Sequence, residues 1–141
     1  MPSTNDSPYS LKNSLGKFVV LYFYPKDDTP GCTMETNDFN NLLPKFKKLN
    51  CEVLGISKNT IKSHKKFKEK YRIKFDLLSD KEIKVINVIK FALKKFMGRD
   101  FMGAVRSTFL INPKCKIIKI WNNFKVKGHA QNVLNTLKFH D

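Results

Sequence analysis

Several features common in secreted, metal-binding and nucleotide-binding proteins are scarce or missing in this sequence. Its 141 residues include only three cysteines, an odd number with no close pair, which neither disulfide-stapled secreted domains nor zinc sites normally show. The histidines, His64, His129 and His140, have no metal-like spacing with the cysteines, and G-x-G-x-x-G and Walker loops are absent. We therefore expect reduced thiols and neither a metal nor an organic cofactor.

Long apolar segments are also lacking. No uninterrupted apolar run approaches the roughly 18 residues that suggest a membrane-spanning helix. The opening segment, MPSTNDSPYSLKNSLGK, is polar, has no apolar core like that of a secretory signal, and contains Asp but no Arg, which argues against a transit peptide. These absences predict a protein that acts in the cytoplasm and does not associate with membranes.

Positive charge, by contrast, is abundant, because 27 basic residues outnumber 12 acidic ones and give a formal net charge of +15. Clustered basic residues bind nucleic acids by neutralising phosphates. Here, however, arginine occurs only at Arg72, Arg99 and Arg106, and lysines alternate with apolar residues along predicted helices, as in KSHKKFKEKYR. That pattern favours solvated helix faces. We expect no specific nucleic-acid partner, and a non-catalytic basic binding module remains an alternative.

The order of the predicted elements indicates one α/β domain covering residues 1–141. The run FVVLYFY, apolar, β-branched and aromatic, is typical of a central strand buried on both faces. An amphipathic helix is predicted from about Thr33, where apolar residues begin to recur at helical spacing. Further strands are predicted at 52–57, 75–79, 104–111 and 116–121, and further helices at 61–71, 81–90 and 129–138.

These elements predict a mixed sheet. A start that alternates strands and helices implies parallel strands joined by right-handed crossovers. The last two strands are separated by NPKC, whose Asn-Pro suits a tight turn, so they add an antiparallel edge to the same sheet. We therefore expect a thioredoxin-like α/β sandwich, with a mixed central sheet flanked by helices.

Cys32 occupies a position where a thiol becomes reactive. It follows the predicted central strand through Thr29-Pro30-Gly31 and lies at the start of the first helix. Free N–H groups and the positive end of the helix dipole favour a thiolate there, and only the thiolate is strongly nucleophilic. A lone cysteine at a helix start is otherwise more often a small buried apolar residue, so the interpretation depends on the surrounding residues.

The segment YFYPKDDTPGCTME resembles the active-site loop of peroxiredoxins, whose pattern Pro-x-x-x-Thr/Ser-x-x-Cys is matched by Pro25, Thr29 and Cys32. The segments VLGIS, RSTFLI and NNFKVKGHAQNVL resemble the bacterioferritin comigratory protein, or PrxQ, branch of that family. The resemblance covers about residues 15–137. It implies a thiol-dependent peroxidase that reduces hydrogen peroxide and organic hydroperoxides to water and alcohols.

The resemblance also implies roles for individual residues. Cys32 would attack the terminal peroxide oxygen and become a sulfenic acid. The Thr29 hydroxyl would hydrogen-bond the peroxide and the sulfur, Arg106 would stabilise negative charge on both, and Pro25 would shield the site from water. Without the resemblance, Arg106 is equally well interpreted as an edge-strand side chain in water or paired with an acid such as Asp38.

Glu35 also matches the family, in a Thr-x-Glu sequence after the cysteine. We interpret it as structural, as a partner in capping the helix start, and orientation of Arg106 is the alternative.

The position of Glu35 also bears on a competing function. A thiol-disulfide oxidoreductase of the same fold would carry a Cys-x-x-Cys pair, whereas Glu35 stands where the second cysteine would be, so such exchange would have to be monothiol.

The chain departs from the family where a second cysteine would resolve the sulfenic acid. Five residues after Cys32 stands Asn37, and the later helix segment KEIKVINVIK contains no cysteine. Cys51 follows the first helix and would lie roughly 25 Å or more from Cys32, and Cys115 falls in the predicted NPKC turn at the surface. We therefore expect a one-cysteine enzyme recycled by thioredoxin or by glutathione and glutaredoxin.

Two further expectations follow from the resemblance. The N-terminal hairpin usual in the family is shortened or absent, because only the polar segment MPSTNDSPYS precedes Leu11. A monomer is expected for this branch.

Overall fold

The computed structural model describes residues 2–9, 14–80, 106–122 and 125–140. The predicted helix at 81–90 and the segment FMGRDFMG lie outside these ranges. The described helices and strands are, in chain order, β1 (Phe18–Phe23), α1 (Pro30–Lys48), β2 (Cys51–Ser57), α2 (Ile61–Tyr71), β3 (Leu77–Ser79), β4 (Ser107–Ile111), β5 (Ile117–Asn122) and α3 (His129–His140).

The strands form one five-stranded sheet in the order β3-β2-β1-β4-β5. The first three strands are parallel, as helical crossovers require. Strand β4 runs antiparallel to β1, and β5 runs antiparallel to β4. The predicted mixed sheet with a thioredoxin-like arrangement is confirmed.

The central strand β1 is buried on both faces, as its apolar run predicts. Successive side chains of a strand point to opposite faces. Val20 and Tyr22 join the core cluster formed with α1 and α3, which also contains Phe67 of α2. Val19 and Leu21 join a second cluster on the other face of the sheet. The end of β1 is therefore held firmly, and the loop that follows it starts from a fixed point.

The two ends of the sheet are closed differently. At β5, the predicted turn is confirmed, since the Asn112 N–H donates to the Lys116 carbonyl at 2.8 Å and Cys115 has a φ of 62°. At β3, Ser3 forms a single antiparallel bridge with Leu78. Residues 2–9 thus contact the sheet edge without forming a hairpin.

None of the helices in the described ranges has both the length and the hydropathy of a membrane span.

Gly55 of β2 lies at a crowded point of the core. It pairs with Tyr22 of β1, and a Cβ added at Gly55 would lie 2.8 Å from the Tyr22 hydroxyl oxygen and 2.9 Å from Cδ2 of Leu77. Tyr22 and Leu77 are both fully buried, and the Tyr22 hydroxyl is hydrogen-bonded to Thr36 at 2.9 Å. Neither neighbour has room to move aside.

We therefore expect Gly55→Ala to lower the free energy of unfolding by about 1–3 kcal/mol, the usual cost of overpacking a core. Denaturant unfolding would measure the change. Gly128→Ala is the matched control, because a Cβ there meets nothing within 4 Å and only its φ of +78° adds strain. A Gly55→Ala protein as stable as the wild type would contradict this account of the β1–β2 contact.

Candidate active site

Cys32 lies within the first turn of α1, which begins at Pro30. Pro30 suits the first helical position, where an N–H group would have no helical partner. Thr29 is the extended N-cap residue, and its carbonyl accepts the Thr33 N–H at 2.8 Å. The Cys32 side chain is completely buried. The thiol therefore lies at the positive end of a 19-residue helix.

Thr29 and Pro25 lie in the loop between β1 and α1, and both are half-buried. The Thr29 side chain makes no capping hydrogen bond to α1. Its hydroxyl instead donates to the Lys26 carbonyl at 2.9 Å. Because this bond uses the hydroxyl hydrogen, the oxygen of Thr29 keeps its capacity to accept a hydrogen bond from a ligand.

Arg106 lies beside the thiol. Its Nη2 donates to Cys32 Sγ at 3.4 Å, and its Nη1 donates to Glu35 Oε1 at 2.9 Å. The alternative of an edge-strand side chain in water is wrong, whereas the alternative of pairing with an acid holds, with Glu35 rather than Asp38 as the acid. Arg106 directly precedes β4, whose two neighbours in the sheet are β1 and β5. Its guanidinium thus joins the Cys32 thiol to a buried carboxylate.

The strand directions explain why Arg106 reaches this point. In the antiparallel β1–β4 pair, Phe23 at the end of β1 lies opposite Ser107 at the start of β4. The residue before β4 and the loop after β1 therefore meet at the same edge of the sheet. A parallel β4 would have carried Arg106 to the opposite end.

The interpretation of Glu35 as a capping residue is wrong. Since α1 starts at Pro30, Glu35 lies beyond the first turn, and its side chain pairs with Arg106. Only 1% of Glu35 is exposed, and Oε2 has no hydrogen-bond partner among the described residues. Burial raises the pKa of Glu35 from 4.5 to about 7, although Arg106 acts in the opposite direction. Near neutral pH this carboxyl group therefore titrates beside the thiol.

Two further residues shape the space around Arg106. A Cβ added at Gly31 would lie 3.1 Å from Arg106 Nη2, so the guanidinium rests against the Gly31 backbone. On another side, buried His129 has its Nε2 2.8 Å from Thr108 Oγ1. Burial, together with the charge of Arg106, lowers the pKa of His129 to about 4, so this imidazole is neutral at pH 7. Sequence reasoning missed His129, although it lies in the family-like segment KGHAQNVL.

The other two cysteines lie elsewhere, and all three are thiols. Cys51 is the first residue of β2 rather than part of the helix end, and burial raises its pKa to about 12. Cys115 is exposed in the turn between β4 and β5. Within the described ranges, no group of His, Cys, Asp or Glu side chains could hold a metal ion.

Comparison with known proteins agrees with this geometry. Residues 1–120 match the model of the AhpC/TSA family. A putative peroxiredoxin bcp of Helicobacter pylori is 46% identical over 129 residues, which cover 91% of this chain and 85% of the relative. Peroxiredoxin Bcp of Xanthomonas campestris is 43% identical over 134 residues, covering 93% of this chain and 82% of the relative.

Solved structures show the same likeness. A structure of peroxiredoxin Q from Xanthomonas campestris has a TM-score of 0.88 and 40% identity, covering 98% of this chain and 88% of that one. A second structure, of the bacterioferritin comigratory protein of that organism, has a TM-score of 0.87 and 39% identity with the same coverage. This second structure was determined to study the alkyl peroxide reduction activity of the Xanthomonas protein.

The chain therefore belongs to the AhpC/TSA family and, within it, to the bacterioferritin comigratory protein or PrxQ branch of the peroxiredoxins. It is an enzyme, a thiol-dependent peroxidase. The family assignment supports a peroxidase over the two alternatives that the sequence left open, a disulfide oxidoreductase and a non-catalytic binding module.

Replacing Glu35 by Gln should flatten the dependence of stability on pH. The raised pKa means that folded protein keeps a proton that the unfolded chain has already lost. This stabilisation is fully present below pH 4.5 and is lost as pH rises through about 7, and it amounts to at most about 3 kcal/mol. Denaturant unfolding across this range should show the decline in the wild type and in the exposed control Glu69→Gln, but not in Glu35→Gln. The same decline in all three proteins would contradict the assignment.

Proposed function

We propose that Cys32 is the nucleophile of a one-cysteine peroxidase that reduces hydrogen peroxide and alkyl hydroperoxides. One observation carries the proposal: in a chain of this family, the Arg106 guanidinium donates to the sulfur of a cysteine buried at the start of α1. Both the helix end and the guanidinium favour the thiolate. The alkyl peroxide reduction activity of the related Xanthomonas campestris protein supports the substrate class.

The reaction needs no group beyond the side chains at the site. The Cys32 thiolate forms a bond to the terminal peroxide oxygen, which keeps its hydrogen, and the product is a sulfenic acid. The O–O bond breaks, and its electron pair leaves with the second oxygen. That oxygen takes a proton from water and departs as water or an alcohol. Arg106 stabilises the negative charge as it moves from sulfur to the leaving oxygen.

Thr29 and Pro25 complete the proposed site. With its hydrogen donated to the Lys26 carbonyl, the Thr29 oxygen accepts the O–H of a peroxide and turns the terminal oxygen toward the sulfur. Pro25 has no N–H group and limits the entry of water from the loop side. Glu35 positions Arg106 and touches neither the sulfur nor the substrate in this scheme.

The sulfenic acid on Cys32 must then be reduced by an external thiol, either thioredoxin or glutathione with glutaredoxin. Neither remaining cysteine suits a resolving role. The buried Cys51 thiol, with its pKa near 12, is almost never a thiolate, and Cys115 lies in the turn between β4 and β5. Because Cys32 is fully buried, a protein reductant reaches it only after the first turn of α1 moves. A monomer, a single domain over 1–141 and a cytoplasmic location complete the proposal.

The first test maps oxidation by mass spectrometry. Reduced protein mixed with slightly substoichiometric hydrogen peroxide and a sulfenic-acid trap should carry the trap on Cys32. Cys32→Ser should lose both labelling and peroxidase activity, whereas the controls Cys51→Ser and Cys115→Ser should react as the wild type does. A disulfide from Cys32 to Cys51 or Cys115 as the main product would overturn the one-cysteine mechanism.

The second test concerns the guanidinium. Arg106→Lys keeps the charge but cannot reach both Cys32 Sγ and Glu35 with a planar fork of donors. We expect the second-order rate constant for peroxide reduction, measured by rapid mixing, to fall by about 10²-fold or more, as when a preorganised charge-stabilising donor is lost. Arg72→Lys, at an exposed position, is the control and should leave the rate unchanged. If the rate constant of Arg106→Lys stays within about twofold of the wild-type value, Arg106 has no part in the mechanism.

A further inference from the structure

We propose that His64 is a positioning residue for peroxide reduction. It acts through Asp27, which lies in the loop that carries Pro25 and Thr29 and which His64 holds in place. The proposal rests on the function proposed above. His64 lies on α2 and touches none of the groups assigned to the reaction. Its effect would pass through one buried hydrogen-bonded pair.

Asp27 is the anchor of this loop. Its Oδ1 accepts the Tyr24 hydroxyl at 2.6 Å, and its Oδ2 accepts Ser63 Oγ and faces His64 Nδ1, both at 2.7 Å. Its N–H donates to Asn59 Oδ1 at 2.9 Å. The carboxyl group is 5% exposed. Three residues thus converge on the side chain of Asp27, and a fourth, Asn59, accepts from its backbone.

The surroundings of His64 hold the ring in place. The ring is completely buried, with Nε2 2.9 Å from the Leu78 carbonyl and Nδ1 2.7 Å from the Asp27 carboxylate. A backbone carbonyl only accepts hydrogen bonds, so Nε2 donates to Leu78. Nδ1 is then left to the hydrogen bond with Asp27.

The groups hydrogen-bonded to Asp27 favour the ionised form of its carboxyl group. Burial alone would raise the pKa of Asp27, but hydrogen bonds from His64, Tyr24 and Ser63 outweigh burial and hold the pKa below its ordinary value. The pKa of Tyr24 is raised well above 10, chiefly by burial, so its phenol remains a neutral donor. A buried pair whose members have all their hydrogen bonds holds a fixed geometry.

The pair bears on the peroxide site because of where Asp27 stands in the chain. Pro25 lies two residues before it, Thr29 lies two residues after it, and Cys32 is five residues away. Among the described residues, α2 is also tied to this loop at the surface, where Asp28 bonds Lys70 and Tyr71 and ion pairs contribute little. A shift at Asp27 therefore moves Thr29 directly, and a misplacement of about 1 Å in an active site can cost about 10²-fold in rate.

Two substitutions separate positioning from simple packing. The amide nitrogen of Asn occupies the place of histidine Nδ1, so His64→Asn keeps a donor toward Asp27 and loses the one toward Leu78. The amide nitrogen of Gln occupies the place of Nε2, so His64→Gln keeps the bond to Leu78 and loses the one to Asp27. Each removes one hydrogen bond of a buried ring and should lower the melting temperature. Only the second should release the loop.

The experiment measures the rate of Cys32 sulfenic-acid formation in single turnovers, with melting temperatures in parallel, on the full chain. His64→Gln should slow the reaction by about tenfold or more, while His64→Asn, destabilised to a similar degree, should remain within about threefold of the wild type. His140→Gln, at an exposed histidine, should match the wild type in both measurements. Equal rates for His64→Asn and His64→Gln would overturn the proposal.

A second measurement covers variants that fail to fold. Proton NMR of the wild type should show a proton between His64 Nδ1 and Asp27 that exchanges slowly with water, and a freely exchanging ring would overturn the role assigned to His64. The outcomes also separate the two proposals. A wild type that forms no sulfenic acid at Cys32 would overturn the proposed function and the role of His64 with it. A reactive wild type with indistinguishable variants would overturn the role of His64 alone.

Discussion

The site depends on one guanidinium that serves two partners. Arg106 donates to the Cys32 sulfur and to the buried Glu35 carboxyl group, and a partly buried cation is stabilised by an anion beside it. When Glu35 is protonated, a thiolate on Cys32 is the group that balances the charge. When Glu35 is ionised, the carboxylate and the thiolate compete for the same cation. In the proposed mechanism, the proton on Glu35 would thus set how strongly Arg106 stabilises Cys32 as the nucleophile.

The rest of the fold serves to bring these three residues together. Cys32 and Glu35 lie on α1, which packs on one face of the sheet, whereas Arg106 arrives from the chain just before β4. Because β1 and β4 are antiparallel neighbours, the loop that leads to Cys32 and the segment that carries Arg106 meet at one edge. The buried aromatic and aliphatic side chains of β1 keep that edge fixed. The mixed character of the sheet is therefore a requirement of the site.

Much of this arrangement could be predicted from the sequence, because it is encoded locally. The run FVVLYFY predicts a strand buried on both faces, helical spacing from Thr33 predicts α1, and NPKC predicts the β4–β5 turn. The contacts that matter most for chemistry are encoded over long distances instead. Arg106 and Glu35 are 71 positions apart, and His64 and Asp27 are 37 apart. No local pattern distinguishes Glu35 from a capping residue until the start of α1 and the position of β4 are both known.

The short segment before β1 has a practical consequence for anyone producing this protein. The Ser79 N–H donates to the Pro2 carbonyl at 3.0 Å, and the Thr4 N–H donates to the Leu77 carbonyl at 3.1 Å. Pro2 and Thr4 thus occupy hydrogen-bonding groups of β3, which lies at an edge among the described strands, and such groups can pair with another chain when they are uncovered. A purification tag fused to Met1 would begin next to this contact and compete with it. At the other end, Phe139 on the last turn of α3 is 91% exposed. A tag placed after Asp141 would leave the edge of the sheet covered.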